Sequence, residues 1–238
     1  MRYIAAAVFA SLAMLVGAFP VGSSGDMTLQ RLAGNVGYQK TTSAPVTPVA
    51  ITQAFENDAY ASTQIQSVAV LDFPDDSHIT LGGNSVIQVH ALISKREHPR
   101  KRQDPIVWEG SMIRLPSDGS VLRFDIHQPY DGAERYTVAT RFARIAIRGT
   151  TALLADNLSG DVLTCLDCGA GDIVADVGGN DFALIDGETL RIRANGRVTL
   201  EDTDPAVLRS FADAGLSTYV PPPPTPSPKP RLRWKIKL

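Results

Sequence analysis

Cysteine, histidine and clustered carboxylates are the side chains best equipped for chemistry, and in this 238-residue chain they are few and scattered. Its two cysteines form a C-x-x-C, Cys165-Leu166-Asp167-Cys168. Fully extended, such a pair holds its Cα atoms ~10 Å apart, beyond the ~7 Å limit for bridging; a turn centred on Leu166-Asp167 brings them within it. Asp167 and Gly169 favour the turn, so Cys165 and Cys168 are a disulfide candidate if the chain reaches an oxidising compartment. No helix begins there to lower a thiol pKa for redox chemistry, and the pair alone is too small a ligand set for zinc. His78, His90, His98 and His127 are far apart. No G-x-S-x-G, H-E-x-x-H or P-loop occurs. Local spacing therefore assembles no nucleophile, base and orienter, and the expectation is no catalytic residue, no metal and no cofactor.

Two acidic segments have a calcium-like look. Asp72, Asp75 and Asp76 lack the EF-hand spacing and its closing Glu, so a solvated turn is expected. Gly178-Gly179-Asn180-Asp181-Phe182-Ala183-Leu184 is similar to one calcium-binding nonapeptide, but the unit does not recur and a stack needs at least three. A hairpin turn is the expectation there.

The ends of the chain are more telling. Met1-Arg2 precedes an apolar run, Tyr3–Ala18, which has the parts of a secretory signal peptide. Cleavage is expected after Ala18, with Val21–Gly25 as the alternative window and an N-terminal anchor as the rival reading. No Cys follows at a lipobox-like place. The last ten residues carry Lys229, Arg231, Arg233, Lys235 and Lys237, behind a proline-rich linker, 219–230, that favours an extended polyproline II spacer. The formal net charge of −2 is thus a cancellation: residues 19–228 hold 17 basic against 25 acidic side chains, opposed by five cations at the terminus. A second basic block spans Lys95–Arg102. The tail Arg231-Leu232-Arg233-Trp234-Lys235-Ile236-Lys237-Leu238 alternates cation and apolar residue. As a strand it would put four cations on one face and Leu232, Trp234, Ile236 and Leu238 on the other. Three readings stay open: a tethered strand that adds to a sheet edge of a partner, of a second copy or of the chain's own acidic body; binding to an anionic envelope surface; or a loose terminus.

The elements that must position these residues are strands. From about Val46 to Leu200 the apolar period is two, with expected strands at Val68–Phe73, His78–Leu81, Val86–Ile93, Ile106–Trp108, Ser111–Leu115, Val121–Ile126, Tyr136–Ala139, Phe142–Ile147, Thr151–Ala155, Val162–Leu166, Ile173–Val177, Phe182–Ile185, Thr189–Arg193 and Val198–Leu200. Glu109-Gly110, Ser117-Asp118-Gly119, Ser159-Gly160, Gly178-Gly179-Asn180, Asp186-Gly187 and Asn195-Gly196 separate them, the Asp-Gly and Asn-Gly pairs being strong hairpin signals. One helix is expected: Asp204 as N-cap, Pro205 first, Ala206–Ala214, then Gly215, with Val207, Leu208 and Phe211 as its apolar stripe.

Three stretches resemble the FecR-type domain, the periplasmic sensor module of iron-siderophore signalling regulators. Val70–Ser85 resembles its strand, Asp-Gly-Ser turn and Thr-Leu segment, with Asp76 where the family favours Gly, followed by Ser77. Trp108-Glu109-Gly110-Ser111-Met112-Ile113-Arg114 resembles its Leu-x-Gly-x-x-Arg/Phe strand through Gly110. Tyr136–Thr150 is similar to its x-Val-x-Thr-Pro-x-Ala-x-Ile-x-Ile-Arg-Gly-Thr block, with Arg141 in place of Pro and ending Arg148-Gly149-Thr150. The resemblance covers roughly Glu56–Leu200. It implies a stand-alone exported β domain, since nothing resembles the cytoplasmic anti-sigma segment or the transmembrane helix of full-length regulators. Physically, the motif residues read as structural: Gly149 for a tight turn, Thr150 for backbone groups at that turn, Arg148 for an acidic neighbour.

The expected fold is all-β: many short strands in a solenoid-like β-sandwich with one short C-terminal helix. The expected organisation is a signal peptide (1–18), a linker or first-strand region (19–45), the β domain (46–218), the proline-rich linker (219–230) and the cationic tail (231–238). The expected function is non-enzymatic binding, sensing or scaffolding at the bacterial cell envelope, periplasmic or extracellular. Its partner would be an envelope protein or the chain's own oligomer through strand addition, or an anionic envelope surface. Neither nucleic acid nor, after cleavage, a membrane span is expected. The rivals are an envelope enzyme acting on glycans in a groove between strands and a self-associating structural protein.

Overall fold

Residues of alternating polarity joined by short glycine-bearing turns build antiparallel sheets when each strand can bury one face. The computed structural model describes residues 27–95, 106–126 and 136–217. In chain order the strands are β1 Met27–Ala33, β2 Val36–Gln39, β3 Thr47–Pro48, β4 Thr52–Phe55, β5 Tyr60–Thr63, β6 Val68–Asp72, β7 His78–Leu81, β8 Val86–Lys95, β9 Ile106–Arg114 and β10 Val121–Asp125. There follow β11 Tyr136–Ala139, β12 Arg144–Ile147, β13 Thr151–Asn157, β14 Gly160–Asp167, β15 Ile173–Val177, β16 Asn180–Leu184, β17 Glu188–Arg193 and β18 Val198–Asp202, then the helix α1, Pro205–Asp213. The signal segment, the basic residues Arg96–Arg102, His98, His127, the proline-rich linker and the tail lie outside the described residues.

The strands form two nine-stranded sheets. One has the order β18-β17-β14-β13-β10-β7-β6-β1-β4, the other β16-β15-β12-β11-β9-β8-β5-β2-β3. From β6 onward the chain passes between them mostly in hairpins: β6–β7, β8–β9, β11–β12, β13–β14, β15–β16 and β17–β18. The fold is therefore the all-β sandwich expected, built by alternating short hairpins between two layers. β9 and β11 pair in parallel. The inner faces meet in one core, Leu29, Leu71, Ile79, Leu81, Leu122, Phe124, Leu154 and Leu163 from one sheet against Ile87, Val89, Ile113, Val138, Ile145, Ile147 and Ile173 from the other. Each such aliphatic side chain contributes about 1.5–3 kcal/mol on burial.

The structure departs from the sequence expectation in several places, and β3, β4 and β5 lie ahead of the first strand expected, at Val68. β1 and β2 precede the expected start of the β domain at Val46 and belong to the two sheets. Glu109-Gly110 does not end a strand: β9 runs through it, because Leu92 pairs with Gly110 and Ile93 with Trp108, leaving Glu109 as the extra residue of a bulge. The strand expected from Phe142 starts at Arg144, because Thr140–Ala143 forms a turn in which the Thr140 N–H donates to the Ala143 carbonyl (3.0 Å).

The helix ends as its sequence predicts. The Asp204 carboxylate accepts from the Ala206 N–H at 2.7 Å, and Gly215 takes φ +87°. Leu216 N–H donates to Phe211 O and Gly215 N–H to Ala212 O, the paired bonds of a Schellman motif. Val207, Phe211 and Leu216 pack on Leu153 and Leu166, on the outer face of β13 and β14. Those two strands are therefore buried on both sides, which is why Ala152, Leu153 and Leu154 break the alternation. Gly82 sits where a Cβ would meet the Ala214 carbonyl oxygen at 2.8 Å, and the Gly83 N–H donates to that carbonyl. The Gly-Gly turn after β7 is thus a seat for the end of the helix.

Candidate functional site

The motif residues gather into two corners. In the first, Phe73-Pro74-Asp75-Asp76-Ser77 turns the chain between β6 and β7. Asp76 adopts φ +62°, a left-handed conformation that favours Gly and tolerates Asp, so the difference from the family pattern falls where the backbone makes it understandable. The Asp75 carboxylate accepts from the hydroxyl of buried Tyr136 at 2.7 Å, and the Tyr136 ring meets Phe73 edge-on with centroids 5.2 Å apart. Asp72 instead pairs with His78 (2.7 Å) and accepts from the Gln30 amide. Asp72 and Asp75 thus point to separate partners, and among the described residues no group of three His, Cys, Asp or Glu side chains is placed to hold a metal. His90 pairs with Asp58 on the other sheet, so the two described histidines do not converge.

The second corner joins the ends of β12, β13 and β14. Gly149 turns at φ +49°. The Arg148 N–H donates to Asp172 O, and Thr150 Oγ1 donates to Asp167 O at 2.6 Å beside Cys168 Sγ. Cys165 and Cys168 form a disulfide, with Cα atoms 6.1 Å apart. A broad hollow of about 570 Å³ opens here, lined by Gly149, Thr150, Asp167, Gly169 and Asp172 among others. Gly110, the remaining motif residue, lies beside the bulge of β9.

A third cluster escaped the sequence reading. Asp156 and Asp161 face each other directly across the β13–β14 hairpin, and they are only 2% and 1% exposed. Ala152, Leu154 and Asp156 share the core-facing phase of β13, as Asp161, Leu163 and Cys165 do on β14. Counting by two would have found the pair; the expected strands, Thr151–Ala155 and Val162–Leu166, stop one residue short of each aspartate. Thr140 Oγ1, from the other sheet's β11–β12 turn, donates to Asp161 Oδ2 at 2.5 Å while accepting from the Phe142 and Ala143 N–H groups. Arg141 and Asp118 pair at 2.7 Å near the cluster. Each aspartate keeps its Oδ1 buried without a hydrogen-bond partner.

Two adjacent buried carboxylates repel, and burial penalises both charges. Burial, a hydrogen bond to Asp161 and the charges of Asp161 and Asp118 push the Asp156 carboxyl up to about 7, against the pull of Arg141. Burial also raises Asp161, which the Thr140 and Asp156 hydrogen bonds and Arg141 oppose. The pair therefore holds a proton between its members below neutrality. A hollow of about 200 Å³ adjoins it, bounded by Asn157, Ser159, Gly160, Asp161, Arg191 and Arg193.

The sheet ends complete the inventory. β18 and β16 close one end of the two strand orders, β4 and β3 the other, and their outer ladders pair with no described strand. Leu200 on β18, Ile185 after β16 and Ile51 before β4 are large apolar side chains left exposed.

Comparison with known proteins adds little. No family model matches the chain. No curated protein matches it. Two crystal structures of a candidate anti-sigma factor from Parabacteroides distasonis ATCC 8503, at 2.50 and 1.65 Å resolution, are similar to it at 13% identity, with TM-scores of 0.48 and 0.47. Each covers 64% of this chain, and this chain spans 63% and 64% of theirs.

Proposed function

We propose that this protein is an exported, non-enzymatic binding module of the bacterial cell envelope with a regulatory or scaffolding role, and that it binds through its sheet edges. One observation carries the reading. The titratable side chains that converge, Asp156 and Asp161, are almost wholly buried, while four of the seven large apolar side chains exposed among the described residues, Val46, Ile51, Ile185 and Leu200, lie on or beside edge strands. A glycan-cleaving site needs its carboxyls open to substrate on either side of the scissile bond. A sheet edge offers main-chain donors and acceptors to an incoming strand, with neighbouring side chains supplying specificity. The FecR-type motif residues support the same reading, since Asp76, Gly149 and Thr150 serve turns and Gly110 a bulge. The signal-peptide pattern supports export.

The test is affinity capture from envelope extract with mature protein, with and without Arg231–Leu238. The expected result is an envelope protein that, once purified, binds the mature protein saturably. Its loss with the shortened chain assigns the tail, and its retention assigns the β body. Release of reducing sugar from envelope glycan by the mature protein, abolished by Asp161→Asn, would overturn the proposal in favour of an enzyme.

A further inference from the structure

The sandwich is unevenly finished. At the β18–β16 end the core-facing side chains lose cover. Val198 and Phe182 pack against the core but stay partly exposed. Leu200, paired in register with buried Leu190 and so on the inner face, is 45% exposed. Inner-face leucine left open beside an unpaired ladder is the profile of a sheet lacking one strand. The same end is acidic: Asp172–Asp204 contains eight acidic residues against three arginines, of which Arg191 is engaged by Glu201. Asp181, Asp186 and Asp202 stand exposed around the gap.

We propose that the chain's own tail, Arg231–Leu238, adds to the free edge of β18 as the tenth strand of that sheet. Its alternation fits the vacancy. Leu232, Trp234, Ile236 and Leu238 on the inner side would cover Val198, Leu200 and Phe182. The cations at 231, 233, 235 and 237 would then line the outer side, beside the Glu201 face of β18 and near the acidic rim.

Reach permits this within one molecule. Ser217 is held over β10, where its carbonyl accepts from Arg123 Nη1 at 2.6 Å. β18 lies four strand steps from β10, or about 20 Å at ~4.8 Å per step. The thirteen residues 218–230 span up to about 40 Å as a polyproline II spacer. The opposite edge, β4, is equally distant. Charge separates the two: around β4 stand Arg31 and the Lys40–Glu56 pair, which give no net attraction for a cationic strand.

This inference rests on the edge-binding reading and gives it a regulatory form: a partner strand of similar pattern must displace the tail. The test is amide hydrogen exchange over Val198–Asp202 in the mature protein, in a variant ending at Pro230, and in that variant with a synthetic Arg231–Leu238 peptide added. Exchange should be at least tenfold slower in the mature protein than in the shortened one. The peptide should restore protection, less effectively at high salt, and Leu200→Lys should weaken that restoration. Equal exchange with and without the tail overturns the proposal, as does tail-dependent protection at β4 instead. Protection that appears only with concentration-dependent dimerisation overturns the within-molecule assignment. Saturable envelope binding alongside unchanged β18 exchange would remove this inference and leave the binding function standing.

Discussion

Asp156→Asn tests the buried carboxyl pair most sharply. The Asp156 carboxyl rises from its ordinary 3.8 to about 7 in the folded protein. Between those values the native state keeps a proton that the unfolded chain has lost. This contribution is fully present below pH ~4, declines through pH 4–7 and is gone above neutrality. A shift of about three units at ~1.4 kcal/mol each corresponds to about 4 kcal/mol; solvent screening from the adjoining hollow reduces it, and we expect about 2–4 kcal/mol. Asparagine has the shape of aspartic acid, offers an amide N–H to Asp161 and cannot ionise. The variant should match the native protein within ~1 kcal/mol at pH 4.5 and exceed it by about 2–4 kcal/mol at pH 8. At ~2–4 °C per kcal/mol for a domain of this size, Tm should differ by about 5–15 °C. The assay is thermal unfolding followed by circular dichroism from pH 4.5 to 8.5 at constant ionic strength. The difference between the two proteins cancels the titration of the carboxylates other than Asp161, its coupled partner. An Asp156→Asn variant less stable by the same amount at pH 5 and pH 8 would refute the reasoning, since it would show an ionised, well-solvated Asp156 throughout.

Other consequences are simpler to check. Gly160 has φ +137°, and a Cβ there would overlap the Ile192 carbonyl oxygen, so Gly160→Ala should cost upwards of ~2 kcal/mol in chemical denaturation. Cys165 and Cys168 close only a short loop, so Cys168→Ser should lower stability by about 2 kcal/mol on chain-entropy grounds, and dithiothreitol should reproduce the shift in Tm. Phe211→Ala should cost about 3–5 kcal/mol and speed exchange in the helix more than in the sheet containing β8 and β9, a contrast that hydrogen exchange reads directly. Asp76→Gly relieves a left-handed aspartate and should be neutral or stabilising by up to ~1 kcal/mol, seen as an unchanged or higher Tm.

Much of the architecture was legible in the sequence. Period-two apolar runs named most strands from Val68 onward, since a half-buried sheet imposes that alternation on each strand locally. Asp204, Pro205 and Gly215 marked the helix ends, because cap geometry depends only on a few neighbouring residues. Legibility failed where the cause lay elsewhere in the chain. Gly110 looked like a break because only the pairing with β8 shows that Glu109 is the extra residue of a bulge. Leu153 is out of phase with Ala152 and Leu154, and only the helix covering the outer face of β13 accounts for its burial. Gly82 and Gly160 looked like ordinary turn residues, yet each is required by the carbonyl of a distant segment. The acidic pair shows the division most clearly. The phases of Asp156 and Asp161 are written in the sequence, but their chemistry is not. A carboxyl becomes a proton holder only when a second sheet excludes water from it and a hairpin sets another carboxyl opposite, and both conditions arise from packing between segments far apart in the chain.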